Sequence, residues 1–340
     1  MRRDLVEHRA WIAESDYRDG LALAQLAPGP LAAQLAIYLG FVHFRVLGAT
    51  AAGVAFVVPS FIMVVGLGWA YVRYGGLPWV QAVFYAVGAA VIGIIACSAY
   101  RLTRKTLGRT RLLWAIYLTS AVATAVTETE DVRLILAGGV LAWLVQARPR
   151  AWPGIGASGL LAGPVSALDL DLLGRILAFF TYAGAFVFGS GLAIVPFLYG
   201  GLVKQHGWLT EQQFLDAVAV ALITPGPVVI TTGFIGYLLA GLTGATVAAA
   251  ATFLPAYLLT ILPAPYFKRY GKRPGVAAFV DGVTAAAIGA ISGAVIVLGQ
   301  RSITDLATGG IALAAALLLV RWKIPEPVIV LAATALGLLI

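Results

Sequence analysis

The stretch Trp208-Leu209-Thr210-Glu211-Gln212-Gln213-Phe214-Leu215-Asp216, continued after a short apolar run by Thr224-Pro225-Gly226-Pro227, decides the fold because the chain contains its pattern twice. Trp11-x-x-Glu14-x-x-Tyr17 matches Trp208-x-x-Glu211-x-x-Phe214, and Pro28-Gly29-Pro30 matches Pro225-Gly226-Pro227, all at an offset of 197. After one deletion the register continues at an offset of 196. Gly48-Ala49-Thr50 then pairs with Gly244-Ala245-Thr246, Pro59 with Pro255, Arg73-Tyr74-Gly75 with Arg269-Tyr270-Gly271, Pro78 with Pro274 and Ile92-Gly93 with Ile288-Gly289. Such a repeat with a single gap means two copies of one helical unit.

Composition names the solvent around those units. Of 340 residues, 61% are apolar and 11% charged, where soluble domains carry roughly 25% charge. Apolar segments run 20–43, 47–72, 78–100, 112–127, 132–146, 174–203, 213–240, 243–264, 277–299, 303–320 and 325–340. Many approach the roughly 20 residues that cross a bilayer. The expectation is an all-α polytopic membrane protein, with a first unit in 1–147, a linker at 148–173 and a second unit in 174–340. The linker carries Pro149, Pro153, Pro164 and several glycines. Its Gly154-Ile155-Gly156-Ala157-Ser158-Gly159 has dinucleotide-loop spacing, but Trp152-Pro153 before it and Gly163-Pro164 after it deny the strand and helix that motif requires. Segment 174–203 precedes the second Trp-x-x-Glu motif and has no counterpart before the first.

The net charge of +8 comes from short basic clusters between apolar segments, the pattern of membrane-protein loops and not of a nucleic-acid surface. Cys97 is the single cysteine and His8, His43 and His206 are scattered, so no disulfide, metal site or cofactor is expected. No His, Asp or Glu cluster at membrane depth suggests an enzyme. The polar start up to Gly20 lacks a cleavable signal, so the first segment is expected to insert uncleaved.

If all eleven segments crossed, the basic clusters would fall on both sides, against the positive-inside rule. If the two Pro-Gly-Pro segments enter and return on the same side, every basic cluster shares the cytoplasm. These clusters are the N-terminus, the 101–111 loop, Arg148 with Arg150, residues 268–273, and Arg321 with Lys323. Glu128, Glu130 and Asp131 then face out. That arrangement has nine full crossings and two inverted units, the plan of many secondary transporters.

Pro-Gly-Pro cannot continue a helix, because each proline removes a backbone donor. At membrane depth the freed groups survive only where protein, water or substrate meets them. The motif also opens a half-helix whose N–H groups and positive dipole end suit an anion. The candidate substrate residues are therefore Pro28, Gly29, Pro30 and Gln34 in the first unit, and Thr224, Pro225, Gly226, Pro227 and Thr231 in the second, with Gln25 and Thr232 beside them. Gly189-Ser190-Gly191, followed by Pro196, breaks segment 174–203 in the same manner and adds a third candidate. Asp216 and Asp281 are candidate proton carriers, because acids inside a membrane are costly; a role at helix N-termini is the alternative. Arg73 and Arg269 read as orientation signals, and Gly289-Ala290-Ile291-Ser292-Gly293 as a close-packing surface.

Taken together, Phe188-Gly189-Ser190-Gly191, Phe214-Leu215-Asp216-Ala217, Thr224-Pro225-Gly226-Pro227, Phe234-Ile235-Gly236-Tyr237 and Phe279-Val280-Asp281-Gly282-Val283-Thr284 resemble the chromate ion transporter family in its long two-unit form. The resemblance covers nearly the whole chain. It implies proton-driven export of chromate, with sulfate a related tetrahedral dianion, from the cytoplasm across the inner membrane. It implies inverted halves in a lipid bilayer and an oxyanion as partner; a homodimer is compatible with it. Two-unit members begin with a helix bearing Phe-Gly-Gly, matched here by Phe188-Gly189-Ser190 in the second unit alone, so either translation starts upstream of Met1, the favoured expectation, or the protein is naturally shortened. Pro-Gly-Pro also occurs in amino-acid exporters of the lysine-exporter type, the competing reading, although those are smaller and lack the Trp-x-x-Glu repeat.

Overall fold

The computed structural model describes residues 5–6, 11–147, 171–187, 191–270, 274–322 and 324–339; these form helices and turns, with no strand among them. Most of the predicted linker, with its Gly154–Gly159 pattern, and the break residues Gly189 and Ser190 lie outside the described residues.

Pro28-Gly29-Pro30 separates α1, Glu14–Leu26, from α2, Leu31–Tyr74. α2 itself folds back at Phe44 and Arg45, where Arg45 has φ 54° and ψ −139°, giving arms 31–43 and 46–74. Gly20 of α1 abuts Leu35 and Tyr38, so α1 and the first arm run antiparallel. Gly40 and Gly48 approach so closely that a methyl on either would strike the other's carbonyl, so the two arms are antiparallel as well. Segment 20–43, read in sequence as one apolar run, is therefore a helical hairpin with Pro-Gly-Pro at its tip. Thirteen residues of α1 span about 20 Å, short of the roughly 30 Å hydrocarbon layer.

The second unit repeats the construction. α3, Pro78–Thr106, α4, Arg111–Thr127, α5, Val132–Ala147, α6, Leu172–Ala185, and α7, Ile194–Leu198, intervene before it. Its hairpin comprises α8, Glu211–Ile223, the Pro225-Gly226-Pro227 tip, a 3-10 turn Val228–Ile230 and the start of α9, Thr231–Ile261. α9 folds back at Ala240 and Gly241, where Gly241 has φ 60°, and Gly236 crosses Gly244 as closely as Gly40 crosses Gly48. Tyr71 shows the hairpin directly: its hydroxyl donates to Asp216 on α8 at 2.7 Å, while its ring meets Phe234 on α9 at 5.6 Å. A continuous helix would hold residues 216 and 234 about 27 Å apart.

The two units are inverted. Gly233 meets Phe61 and Val64, and Tyr237 meets Gly68, so the first arm of α9 runs parallel to the long arm of α2. The long arm of α9, 242–261, consequently runs antiparallel to its own counterpart, and the Thr50–Tyr257 hydrogen bond of 2.7 Å closes that pair. Equivalent helices that run antiparallel are related by an axis across them, which for a spanning bundle lies in the membrane plane.

Partners are exchanged throughout. α11, Pro274–Ser302, has the length of α3 at an offset of 196, and it packs on α4 and α5 of the first unit. α3 packs reciprocally on α12, Leu306–Leu317, and α13, Glu326–Gly337; α10, Ala264–Tyr270, joins α9 to α11. Gly289 and Gly293 press against the carbonyls of Tyr117 and Ala121, and Gly93 against that of Ala312, as the small-residue pattern predicts. Such contacts matter because lipid-facing helices gain little from apolar burial and associate through close approach.

Following the chain from end to end sorts the charges. Arg45, the Arg101–Arg111 loop and Arg321 share one end, where the Arg101 guanidinium donates to the Leu319 carbonyl. Glu128, Glu130, Asp131, Glu211 and Asp305 share the other, where Glu128 meets Lys204 at 2.6 Å and also pairs with Arg301.

Candidate functional site

Three backbone breaks converge between the units. α6 ends at Phe186, and Val187 O accepts a hydrogen bond of 2.6 Å from the Gly29 N–H. Gly191 packs against Val228 and Val229 just beyond the second Pro-Gly-Pro tip. Each tip also bears on the opposite unit. A methyl at Gly29 would strike Ala256, and one at Gly226 would strike Ser60; Ser60 donates to Pro225 O at 2.6 Å. Ser60 and Ala256 are equivalent at the 196 offset, so the contacts are reciprocal. Gly29 and Gly226 have φ of 139° and 144°, values that suit glycine and strain other residues.

The polar side chains beside the tips mend the broken backbone. Gln34 is fully buried, and its Nε2 donates to Pro28 O at 2.7 Å, while its Oε1 has no partner among the described residues. Thr231, at the matching position, donates to Val228 O, Thr232 to Val229 O and Thr224 to Val220 O. Gln25 is exposed. Left without acceptors among the described residues are the backbone N–H groups of Leu31, Ala32 and Ala33 in one unit and Val228 and Val229 in the other. What the two tips can offer a ligand is thus main-chain N–H at two half-helix starts, a donor set for anions.

Asp216 is buried at 3% exposure, accepting from Tyr71 and, at 2.8 Å, from Gln212 Nε2. It does not cap α8, because Thr210 does so through a capping box with Gln213. The sequence holds a counterpart, Asp19, at the 197 offset, but Phe267 stands where Tyr71 does in the other unit. Asp281 lies exposed two turns into α11, joined to no hairpin residue by hydrogen bond or ion pair among the described residues. Arg73 is exposed, and the Arg269 side chain lies outside the described residues.

The Trp-x-x-Glu motif of the second unit anchors one end of its hairpin. Trp208 stacks on His206 at 4.6 Å, Phe214 is fully buried against Tyr199, and Glu211 pairs with Arg301. Hydrogen bonding from Lys204, and then from Arg301, holds the Glu128 carboxyl below its usual range. Burial pushes Glu130 up to about 8. Sequence reasoning did not single out Tyr71, Ser60 or Arg301, since each acts on a residue far along the chain, nor Gln212, one turn before Asp216.

Comparison with known proteins agrees with this geometry. The sequence model of the chromate transporter family matches residues 1–143 and again 174–338. A chromate transport protein of Cupriavidus metallidurans is 63% identical over 99% of this chain and 86% of its own length. A probable chromate transport protein of Synechococcus elongatus is 60% identical over the full chain and 89% of its own length, and a chromate transport protein of Pseudomonas aeruginosa is 30% identical over the full chain. No solved structure matches. Inverted units with broken helices at their interface define an all-α, multi-pass membrane protein with an architecture that many transporters share. The chain belongs to the chromate transporter family. These relatives do not favour the amino-acid-exporter reading that Pro-Gly-Pro alone allows.

Proposed function

We propose that the protein exports chromate across the cytoplasmic membrane, coupled to protons, with sulfate and similar tetrahedral dianions as related ligands. The observation that carries this reading is the meeting of two Pro-Gly-Pro tips with Val187 and Gly191 between inverted units, with five backbone N–H groups at two helix starts that meet no acceptor among the described residues. A dianion placed there is held by dipoles and hydrogen bonds without a formal countercharge, so its release is not opposed by an ion pair. Pro28, Gly29 and Pro30, with Gln34, and Thr224 to Pro227, with Thr231, shape this site; Gly191 packs beside the second tip, and Gly189 and Ser190 are proposed as further substrate-binding residues. Asp216 is the favoured proton carrier, since it is buried within the hairpin and hydrogen-bonded across to the first unit.

The basic end faces the cytoplasm in this reading, because Arg45, the 101–111 loop and Arg321 gather there. Residues 1–147 and 174–340, the two repeats, each contribute one Pro-Gly-Pro tip to the site in this reading. The test is chromate accumulation in cells expressing the chain: lower accumulation than in cells with empty vector is expected, and an unchanged level in cells with confirmed membrane insertion would overturn chromate export.

A further inference from the structure

A cavity of about 260 Å³ opens at the Glu211 end, between α3, α8 and α11. Its polar wall is formed by Arg301, Gln212, Ser302, Thr304, Tyr85, whose hydroxyl donates to Asp305, and Glu211, whose carboxylate pairs with Arg301 and Lys204. The Ser302 hydroxyl is buried and has no hydrogen-bond partner among the described residues. At about 30 Å³ per water, the space admits a tetrahedral dianion together with several waters.

The charges around it are arranged to be exchanged. Arg301 pairs with both Glu128 and Glu211, and Lys204 reaches the same two carboxylates at 2.6 and 3.6 Å. Two cations share two anions. When Arg301 turns to an arriving anion, Lys204 stays with both carboxylates, so neither is stranded, the situation that makes breaking a partly buried pair costly. Gln212, on the same wall, donates to Asp216, placing the cavity one hydrogen bond from the acid inside the hairpin.

We propose that this cavity is a second oxyanion site, a waypoint for tetrahedral dianions at the acidic end of the protein, in which Arg301 binds the anion and Lys204 takes over its carboxylates. The proposal rests on the reading of the protein as an oxyanion transporter. It differs from the Pro-Gly-Pro site in using a guanidinium, which gives charge-assisted bonds to oxyanions, where the tips offer main-chain N–H.

The single native cysteine makes the test direct. Cys97→Ala with Ser302→Cys puts one thiol in the cavity wall, and its labelling by anionic and cationic methanethiosulfonates of similar size is timed in detergent at fixed ionic strength. The anionic reagent is expected to react faster by about tenfold. Sulfate and molybdate, which do not oxidise thiols, should slow it where chloride of equal ionic strength does not, and Arg301→Gln should remove both effects. Equal rates for the two reagents, no reaction at all, or protection by sulfate and molybdate no better than by chloride would each overturn the proposal. Chromate flux into vesicles carrying the unaltered chain reports on the transport reading separately. Flux without protection removes the waypoint alone, and protection without flux leaves an anion site on a protein that does not move chromate.

Discussion

In the first hairpin Gly29 is buried and its N–H donates to Val187 of the broken helix between the units; in the second, Gly226 is exposed and its N–H meets no acceptor among the described residues. The asymmetry follows from α6. That helix lies along α9, with Gly184 pressed against the Thr252 backbone, and its broken end covers the tip of the first hairpin. No described element ahead of α1 does the same for the second tip, and Val54, Val58 and Ile62 on the long arm of α2 are exposed. The acids differ too, since Asp216 has Tyr71 across from it where Asp19 would face Phe267. One plan, used twice and inverted, thus yields one sealed tip and one open tip, and a Tyr–Asp hydrogen bond between units at the second hairpin.

The largest effect should come from the tips. Gly226→Ala drives a methyl into Ser60 from a backbone φ of 144°, and Pro225→Ala loosens the same turn. Each should lower chromate transport about a hundredfold or more, the scale on which misplaced ligand groups act, while membrane insertion persists. Gly29→Ala should cost transport and also thermal stability, because its tip is buried. Normal transport by both Gly226→Ala and Pro225→Ala would remove the open tip from the mechanism.

A smaller loss separates the two acids. Asp216→Asn is expected to reduce proton-driven chromate flux about tenfold and to flatten its dependence on pH, while Asp19→Asn leaves both nearly unchanged. Tyr71→Phe, which deletes one hydrogen bond worth about 1 kcal/mol, should fall between them at about fivefold. Equal losses in the two aspartate variants would mean that the hairpins share the coupling.

The smallest effect concerns stability. Burial raises Glu130 from an ordinary 4.5 to about 8, so the folded protein binds a proton that the unfolded chain has released. Its contribution is full below pH 4.5 and is lost as pH rises to 8. Glu130→Gln should therefore melt like the parent at pH 5 and a few degrees higher at pH 9, measured by thermal unfolding in detergent.

Much of this was legible in the sequence. The repeat, the helical class, the broken segments and the return of both Pro-Gly-Pro segments to their own side follow from motif offsets and from where arginines stand. Arg45 illustrates the last point: it holds a left-handed φ at the fold-back where the second unit uses Gly241, at a conformational cost of about 1 kcal/mol, and it keeps a positive charge at the basic end. The exchange of partners was not legible. Gly226 on Ser60, Arg301 on Glu128 and Tyr71 on Asp216 each join positions far apart along the chain, and nothing local in either partner announces the other. The hydroxyls beside the tips looked like ligand donors because sequence shows their presence and not their direction; in the structure they turn to carbonyls of their own helical turn.

The reciprocal seating of the tips also sets an order of events at synthesis. Val187 and Ala256, which cover the first tip, emerge from the ribosome long after Gly29. The nascent first unit therefore waits in the bilayer with part of its backbone unsatisfied, and its maturation is completed by the second. A chain that stalls midway keeps that turn uncovered, so the first unit alone is an incomplete fold.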